Sequence, residues 1–139
     1  MKLALYKHKR RWLGDIGPAL IRWWTKSPYS HCELVIDGLA YSSSVMDGGV
    51  RSKRIEFDPD HWDFVDLPWA EKTRALRHFH TTVGEPYGWL DLLWRQVFNH
   101  PGDAVGAFCS EWCAAALGLS HPQQYSPGKL GEYCKLRIA

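Results

Sequence analysis

No stretch of the 139-residue chain approaches the roughly 18 consecutive apolar residues that a membrane span needs, so no spanning helix is expected. No secretory leader is expected either, because Leu3-Ala4-Leu5-Tyr6 is cut off at once by Lys7-His8-Lys9-Arg10-Arg11. Synthesis into a reducing cytoplasm, with free thiols, is the expectation. Charge of one sign is scarce: 17 basic against 15 acidic residues leave a net +2, too weak a field to attract nucleic acid. The cluster Lys7, Lys9, Arg10, Arg11 beside Trp12 reads as a solvated arm. The four cysteines contain no C-x₂-C pair. Zinc would have to take Cys109 and Cys113 at helical spacing with His31 or Cys32, although Cys32 is expected to point away from His31. No metal or cofactor is implied. Repeats and low-complexity tracts are absent, and 45% apolar with 23% charged residues excludes disordered, coiled-coil and collagen-like classes. The length suits one domain over 1–139.

What the chain has in quantity is aromatics, 14% of residues and eight Trp among them. They fit an aromatic-rich core, or a groove in which Trp23, Trp24, Trp62, Trp69, Trp89, Trp94 and Trp112 meet a peptide or glycan. Residues 3–6 suit a short strand, and 18–24 a short helix opened by Pro18. Residues 31–36, the turn Asp37-Gly38 and residues 39–44 read as a β-hairpin. Asp47-Gly48-Gly49 is a second turn, with strands expected over 50–57 and 62–67. Arg51, next to that turn, is a possible partner for a substrate carboxylate. Helical spacing then takes over at 71–83 and 89–98, the latter stopped by Asn99-His100-Pro101-Gly102. Residues 109–117 form a compact apolar helix with Gly118 as its cap, Ser126-Pro127 opens a last helix, and 136–138 suits an edge strand. Strands followed by helices give an α+β class, an antiparallel sheet packed against helices.

Chemistry concentrates at Cys109, expected in the first turn of its helix, where unpaired N–H groups and partial positive charge stabilise a thiolate. Cys113, one turn on, suits a core position. A nucleophilic thiol needs a base. Of the seven His, His8, His100 and His121 lie among polar or turn residues, and His78 and His80 project from different sides of a helix. His31 begins a strand in Ser30-His31-Cys32-Glu33-Leu34-Val35, where alternation puts His31 and Glu33 on one face and Cys32 on the other.

Gly84-Glu85-Pro86-Tyr87-Gly88-Trp89 followed by Phe108-Cys109-Ser110-Glu111 resembles the G-x-P-Y-x-W and C-S segments of the NlpC/P60 papain-like hydrolases. The His segment precedes the Cys helix, the reverse of the usual order, so the chain resembles the circularly permuted, YiiX-like branch, which includes phage-encoded members. The likeness covers about residues 27–119. It implies a permuted papain-like fold in which Cys109 attacks a carbonyl carbon, His31 moves the proton, the Cys109 N–H helps hold the oxyanion, and Tyr87 contacts substrate. The family's third residue, often a Glu that orients the His, lies on the following strand. Here that stretch is Tyr41-Ser42-Ser43-Ser44, so Glu33 or Ser43 must serve, with Glu33 favoured.

The implied activity is hydrolysis of an amide bond, such as that of a peptidoglycan stem peptide. Acyl transfer or thioester hydrolysis, as in relatives of lecithin:retinol acyltransferase, uses the same catalytic residues. A non-catalytic peptide- or glycan-binding module is the third reading. If the chain is phage-encoded, a place in the virion is implied.

Overall fold

Leu3 and Leu5, two residues apart on the first strand, are both fully buried, as expected where alternate side chains of a strand face a core. The computed structural model describes residues 1–7, 27–44, 47–83 and 104–139. The helices expected over 18–24 and 89–98, the stop at 99–102, the basic arm beyond Lys7, and Tyr87 lie outside the described residues. Within them, β1 (Lys2–Lys7), β2 (Tyr29–Ile36), β3 (Leu39–Ser44), β4 (Gly49–Lys53) and β5 (Trp62–Asp66) form one five-stranded sheet in the order β4-β3-β2-β1-β5. Each of its ladders is antiparallel. The first strand in sequence is therefore internal, with Leu5 opposite Cys32 on one side and Asp63 on the other.

The Asp37-Gly38 turn closes the β2–β3 hairpin with positive φ at both residues, 49° and 81°, the pattern of a type I′ turn whose twist matches that of the strands. Among the described residues three helices follow: α1 (Lys72–Thr82), α2 (Ala104–Ala116) and α3 (Pro127–Leu136), with a 3-10 turn at Pro122–Gln124. They pack on the sheet face bearing Leu3, Leu5, Cys32, Leu34, Tyr41 and Val65, to which they add Ala75, Trp112, Cys113, Leu130 and Cys134. The class is α+β, an antiparallel sheet against helices.

Side-chain contacts fix how the helices dock. Lys72 pairs with Asp37 and so ties the start of α1 to the hairpin turn. Trp112 donates its indole N–H to Thr82 Oγ1 at 3.0 Å, joining α2 to the end of α1. Helix α2 ends at Gly118, whose φ of 74° suits only glycine comfortably. There the Leu119 N–H bonds to the Ala114 carbonyl (3.0 Å) and the Gly118 N–H to that of Ala115 (2.9 Å), a Schellman motif. Helix α3 starts at Pro127 after Ser126, whose hydroxyl accepts the Lys129 N–H.

Three expectations about element ends are corrected. Strand β4 stops at Lys53 instead of running to 57, because its partner β3 begins at Leu39 and the ladder ends at Ala40–Lys53. Residues 136–138 form no strand: Leu136 is the last residue of α3, and the Arg137 and Ile138 N–H groups continue its turn onto the Tyr133 and Lys135 carbonyls. Helix α2 begins at Ala104, ahead of the expected start, so Cys109 is in its interior. The run Ala104-Val105-Gly106-Ala107-Phe108 contains no Ser, Thr, Asp or Asn to cap a later start, and the helix extends back through it.

Candidate functional site

Strand alternation brings His31 and Glu33 together: the His31 Nε2–H donates to Glu33 Oε1 at 2.7 Å. With Nε2 committed to the carboxylate, Nδ1 is the nitrogen left for proton exchange with a thiol. That thiol is Cys109 on α2, which hydrogen-bonds with the His31 side chain. Cys32 reaches the same sulfur. Its side chain and backbone both hydrogen-bond with Cys109, although alternation separates Cys32 from His31 along the strand. The β2–β3 ladder helps explain this approach. It runs from Ile36–Leu39 only to Leu34–Tyr41, and beyond it the Ser42 hydroxyl, not a ladder bond, meets the Cys32 carbonyl at 2.9 Å. Cys113, one helical turn after Cys109, also faces that carbonyl, with Sγ at 4.0 Å.

The electrostatics follow from these partners. Burial opposes ionisation of Cys109, yet the Cys32 hydrogen bond, the His31 charge and the His31 hydrogen bond outweigh it and hold the thiol well below its ordinary range. Burial likewise pulls the His31 imidazole down, but the Cys109 thiolate and the Glu33 carboxylate together raise it to about 10. Cys32 moves the other way, pushed far up by burial and by its thiol neighbours. Both shifts favour the charged forms, a Cys109 thiolate facing a His31 imidazolium. The thiolate does not depend on a helix terminus, as the sequence had suggested. Dipole stabilisation is confined to the first turn, and an interior N–H is bonded within the helix, so the Cys109 N–H is not available as an oxyanion donor either.

Behind His31 stands a chain of charges. Glu33, only 1% exposed, receives both terminal nitrogens of Arg51: Nη1 at 2.6 Å from Oε2 and Nη2 at 2.6 Å from Oε1. Arg51 Nε donates to Asp47 Oδ2 at 2.7 Å, and Lys53 Nζ reaches the same oxygen at 2.8 Å. Burial pushes the Glu33 carboxyl up, and the Arg51 and His31 interactions reverse this and keep it below the usual carboxylate range. The sequence reading of Arg51 as a substrate-carboxylate partner is corrected, because Glu33 and Asp47 occupy its guanidinium. A signal for this was present. Extending the register from the Asp37-Gly38 turn sets Ser42 opposite Glu33, and Arg51 pairs with Ser42 on the other side, so one sheet face carries both charges.

Glu33, not Ser43, is the residue bonded to His31 Nε2; Ser43 is buried on β3 beside Ser42. Tyr87 lies outside the described residues. Solvent reaches the pair at the His31 side chain, 26% exposed, whereas Cys109 is fully buried. Beside His31 stands Trp62, edge-on with ring centroids 6.4 Å apart. Trp62 in turn contacts Tyr6 and Phe57, each at 5.0 Å, and Phe57 contacts Phe64. Of the Trp residues expected to line a groove, Trp62 adjoins His31, Trp112 is core, and Trp69 lies under the Arg137 guanidinium at 4.2 Å; Trp23, Trp24, Trp89 and Trp94 are outside the described residues. Among the described residues no three or more His, Cys, Asp or Glu side chains converge as a metal site requires, and no helix is long and apolar enough to cross a membrane.

Compared with protein-family models, with curated proteins and with solved structures, the chain matches none.

Proposed function

We propose that the chain is a cysteine hydrolase of permuted papain-like, NlpC/P60 type, acting on an amide bond, with Cys109 as nucleophile, His31 as acid and base, and Glu33 orienting His31. The observation that carries this reading is His31 held between the Cys109 thiol and the Glu33 carboxylate, with Nε2 fixed at 2.7 Å. In the proposed cycle the thiolate adds to the carbonyl carbon and forms a C–S bond. As the C–N bond breaks, His31 passes its Nδ1 proton to the departing amine and leaves a thioester. Water then gives a proton to His31 and adds to the thioester carbon, the C–S bond breaks, and the thiolate is restored. The substrate approaches along the Trp62 side, where His31 meets solvent, and Tyr87 is proposed to contact it. Peptides, stem peptides of the cell wall included, are the favoured class. Acyl thioesters would follow the same steps.

Thiol alkylation across pH 5 to 9, mapped to each cysteine by mass spectrometry, tests the pair. Cys109 is expected to react as a thiolate well below the ordinary thiol range, and His31→Ala to move its midpoint upward. Equal inertness of Cys109 and Cys113 would discard the reading.

The aromatic cluster Tyr6, Phe57, Trp62 and Phe64, the last 43% exposed, favours a second reading as a peptide- or glycan-binding module. Under it, Cys109→Ala would bind stem peptides or glycan fragments as the parent does, and the parent would turn over neither these nor acyl thioesters.

A further inference from the structure

The Glu33 carboxylate is almost wholly buried, and its two oxygens carry three charged contacts: Arg51 Nη1 on Oε2, and Arg51 Nη2 together with His31 Nε2 on Oε1. A carboxylate held by one hydrogen bond can rotate about its last torsion, and its preferred plane need not suit the imidazole. Bidentate contact with a planar guanidinium removes that rotation. Arg51 is itself held at its third nitrogen by Asp47, which also receives Lys53. Three consecutive links, each between 2.6 and 2.7 Å, therefore run from Asp47 through Arg51 and Glu33 to His31.

We propose that Arg51 is a positioning residue of the reactive pair, fixing the plane of Glu33 so that Oε1 takes the His31 Nε2–H and Nδ1 is turned to Cys109. The inference rests on the Cys109–His31 reading and adds to it a residue that touches neither the thiol nor a substrate. Arg51 acts on charge as well as on orientation. The thiolate, imidazolium and carboxylate together carry one net negative charge, which the guanidinium cancels. Among the described residues the charged and titratable groups around the pair are Cys32 and Glu33 on β2, Cys109 and Cys113 on α2, and Arg51, Lys53 and Asp47 on β4 and its turn. Removing Arg51 leaves the cluster more negative, which makes the Cys109 thiolate harder to form and ties the His31 proton more tightly.

The test is the pH profile of Cys109 alkylation in the full chain, with circular dichroism as the folding check. Arg51→Met is expected to move the acid limb of the profile upward by about one pH unit or more, the usual scale for an opposite charge lost at close range. Arg51→Lys keeps the charge and should leave the limb near its original position. It should also broaden the slowly exchanging, low-field proton signal of His31 Nε2–H, because an ammonium cannot hold both oxygens in one plane. A folded Arg51→Met variant with an unmoved limb would overturn the inference. If Arg51→Met does not fold, the Arg51→Lys signal decides: broadening supports the positioning role, and an unchanged signal rejects it. An ordinary thiol profile for Cys109 in the parent would fail the hydrolase reading instead, while the His31 signal would still report on Arg51.

Discussion

Cys32 is next in sequence to the proposed base and also touches the proposed nucleophile, so one strand supplies two of the groups acting on the thiolate. Its own thiol is pushed far up by burial, which keeps it protonated and able to donate to the Cys109 sulfur. Cys32→Ala removes that donor without changing net charge. The expected outcome is an upward shift of the Cys109 alkylation midpoint, of order one pH unit, with the fold retained because alanine fits the space. An unmoved midpoint would show that the Cys32 backbone and His31 suffice. Glu33 and Arg51 are a different case at this scale. Both are charged and largely buried, at 1% and 15% side-chain exposure, so deleting the guanidinium leaves a buried carboxylate with His31 as its remaining charged partner and Oε2 without its donor. Arg51→Met should lower unfolding free energy by about 3–5 kcal/mol in denaturant titration, whereas the paired removal Glu33→Gln with Arg51→Met should cost much less.

Helix α3 lies close to the sheet because it presents glycine where a strand side chain approaches. A Cβ at Gly131 would sit 2.6 Å from Leu5 Cδ1, and Leu5 is an internal, fully buried residue of β1. Gly131→Ala must therefore displace either the buried Leu5 side chain or the helix. The expected loss is about 1–3 kcal/mol by thermal or chemical unfolding, despite alanine's better helix propensity. Gly131→Ala combined with Leu5→Val, which frees some of that space, should recover part of it. Elements of this kind were unevenly legible in the sequence. Turn chemistry at Asp37-Gly38 and the alternation around it located β2 and β3, and the cap at Gly118 located the end of α2. The lengths that depend on a partner were not legible: β4 ends where β3 has only Leu39 left beyond Ala40, and a strand's own sequence does not say this. The start of α2 was misread because an apolar run without a capping residue has no local boundary, and the error placed Cys109 at a terminus that lies further back. In the site, strand parity put His31 and Glu33 on one face, and the choice of Glu33 over Ser43 as the partner of His31 came with the family resemblance. Arg51 was legible only by carrying the register from the Asp37-Gly38 turn across β3, and Cys32 was not, since its role depends on where the β2–β3 ladder gives way.

For the molecule as a whole, the shifted groups of the site predict how stability varies with pH. The Glu33 carboxyl is held below its ordinary 4.5, so its contribution is present above that value and is lost as pH falls through the lower native one. His31 is raised from 6.5 to about 10, so its contribution is full below 6.5 and disappears as pH rises through 10. Cys109, depressed from 9.0, contributes fully above 9.0 and loses its contribution on the acid side. Between 6.5 and 9.0 the His31 and Cys109 contributions change in opposite directions, and Tm should stay nearly flat there. In Cys109→Ala the imidazole loses its thiolate partner, and the alkaline fall in Tm should begin at lower pH than in the parent. Coincident alkaline limbs for the two proteins would rule out the ion pair.

The strand order carries a further consequence, for how the chain acquires its structure as it is made. Strand β1 leaves the ribosome first, yet its two neighbours in the sheet, β2 and β5, follow at Tyr29–Ile36 and Trp62–Asp66, and the helix carrying Cys109 follows both. Contacts between such distant parts of the chain make for slow folding, because the loops between them must close before any pairing rewards them. Until that last closure Cys109 lies apart from His31 and Cys32, so the activation proposed for its thiol waits on the completed fold.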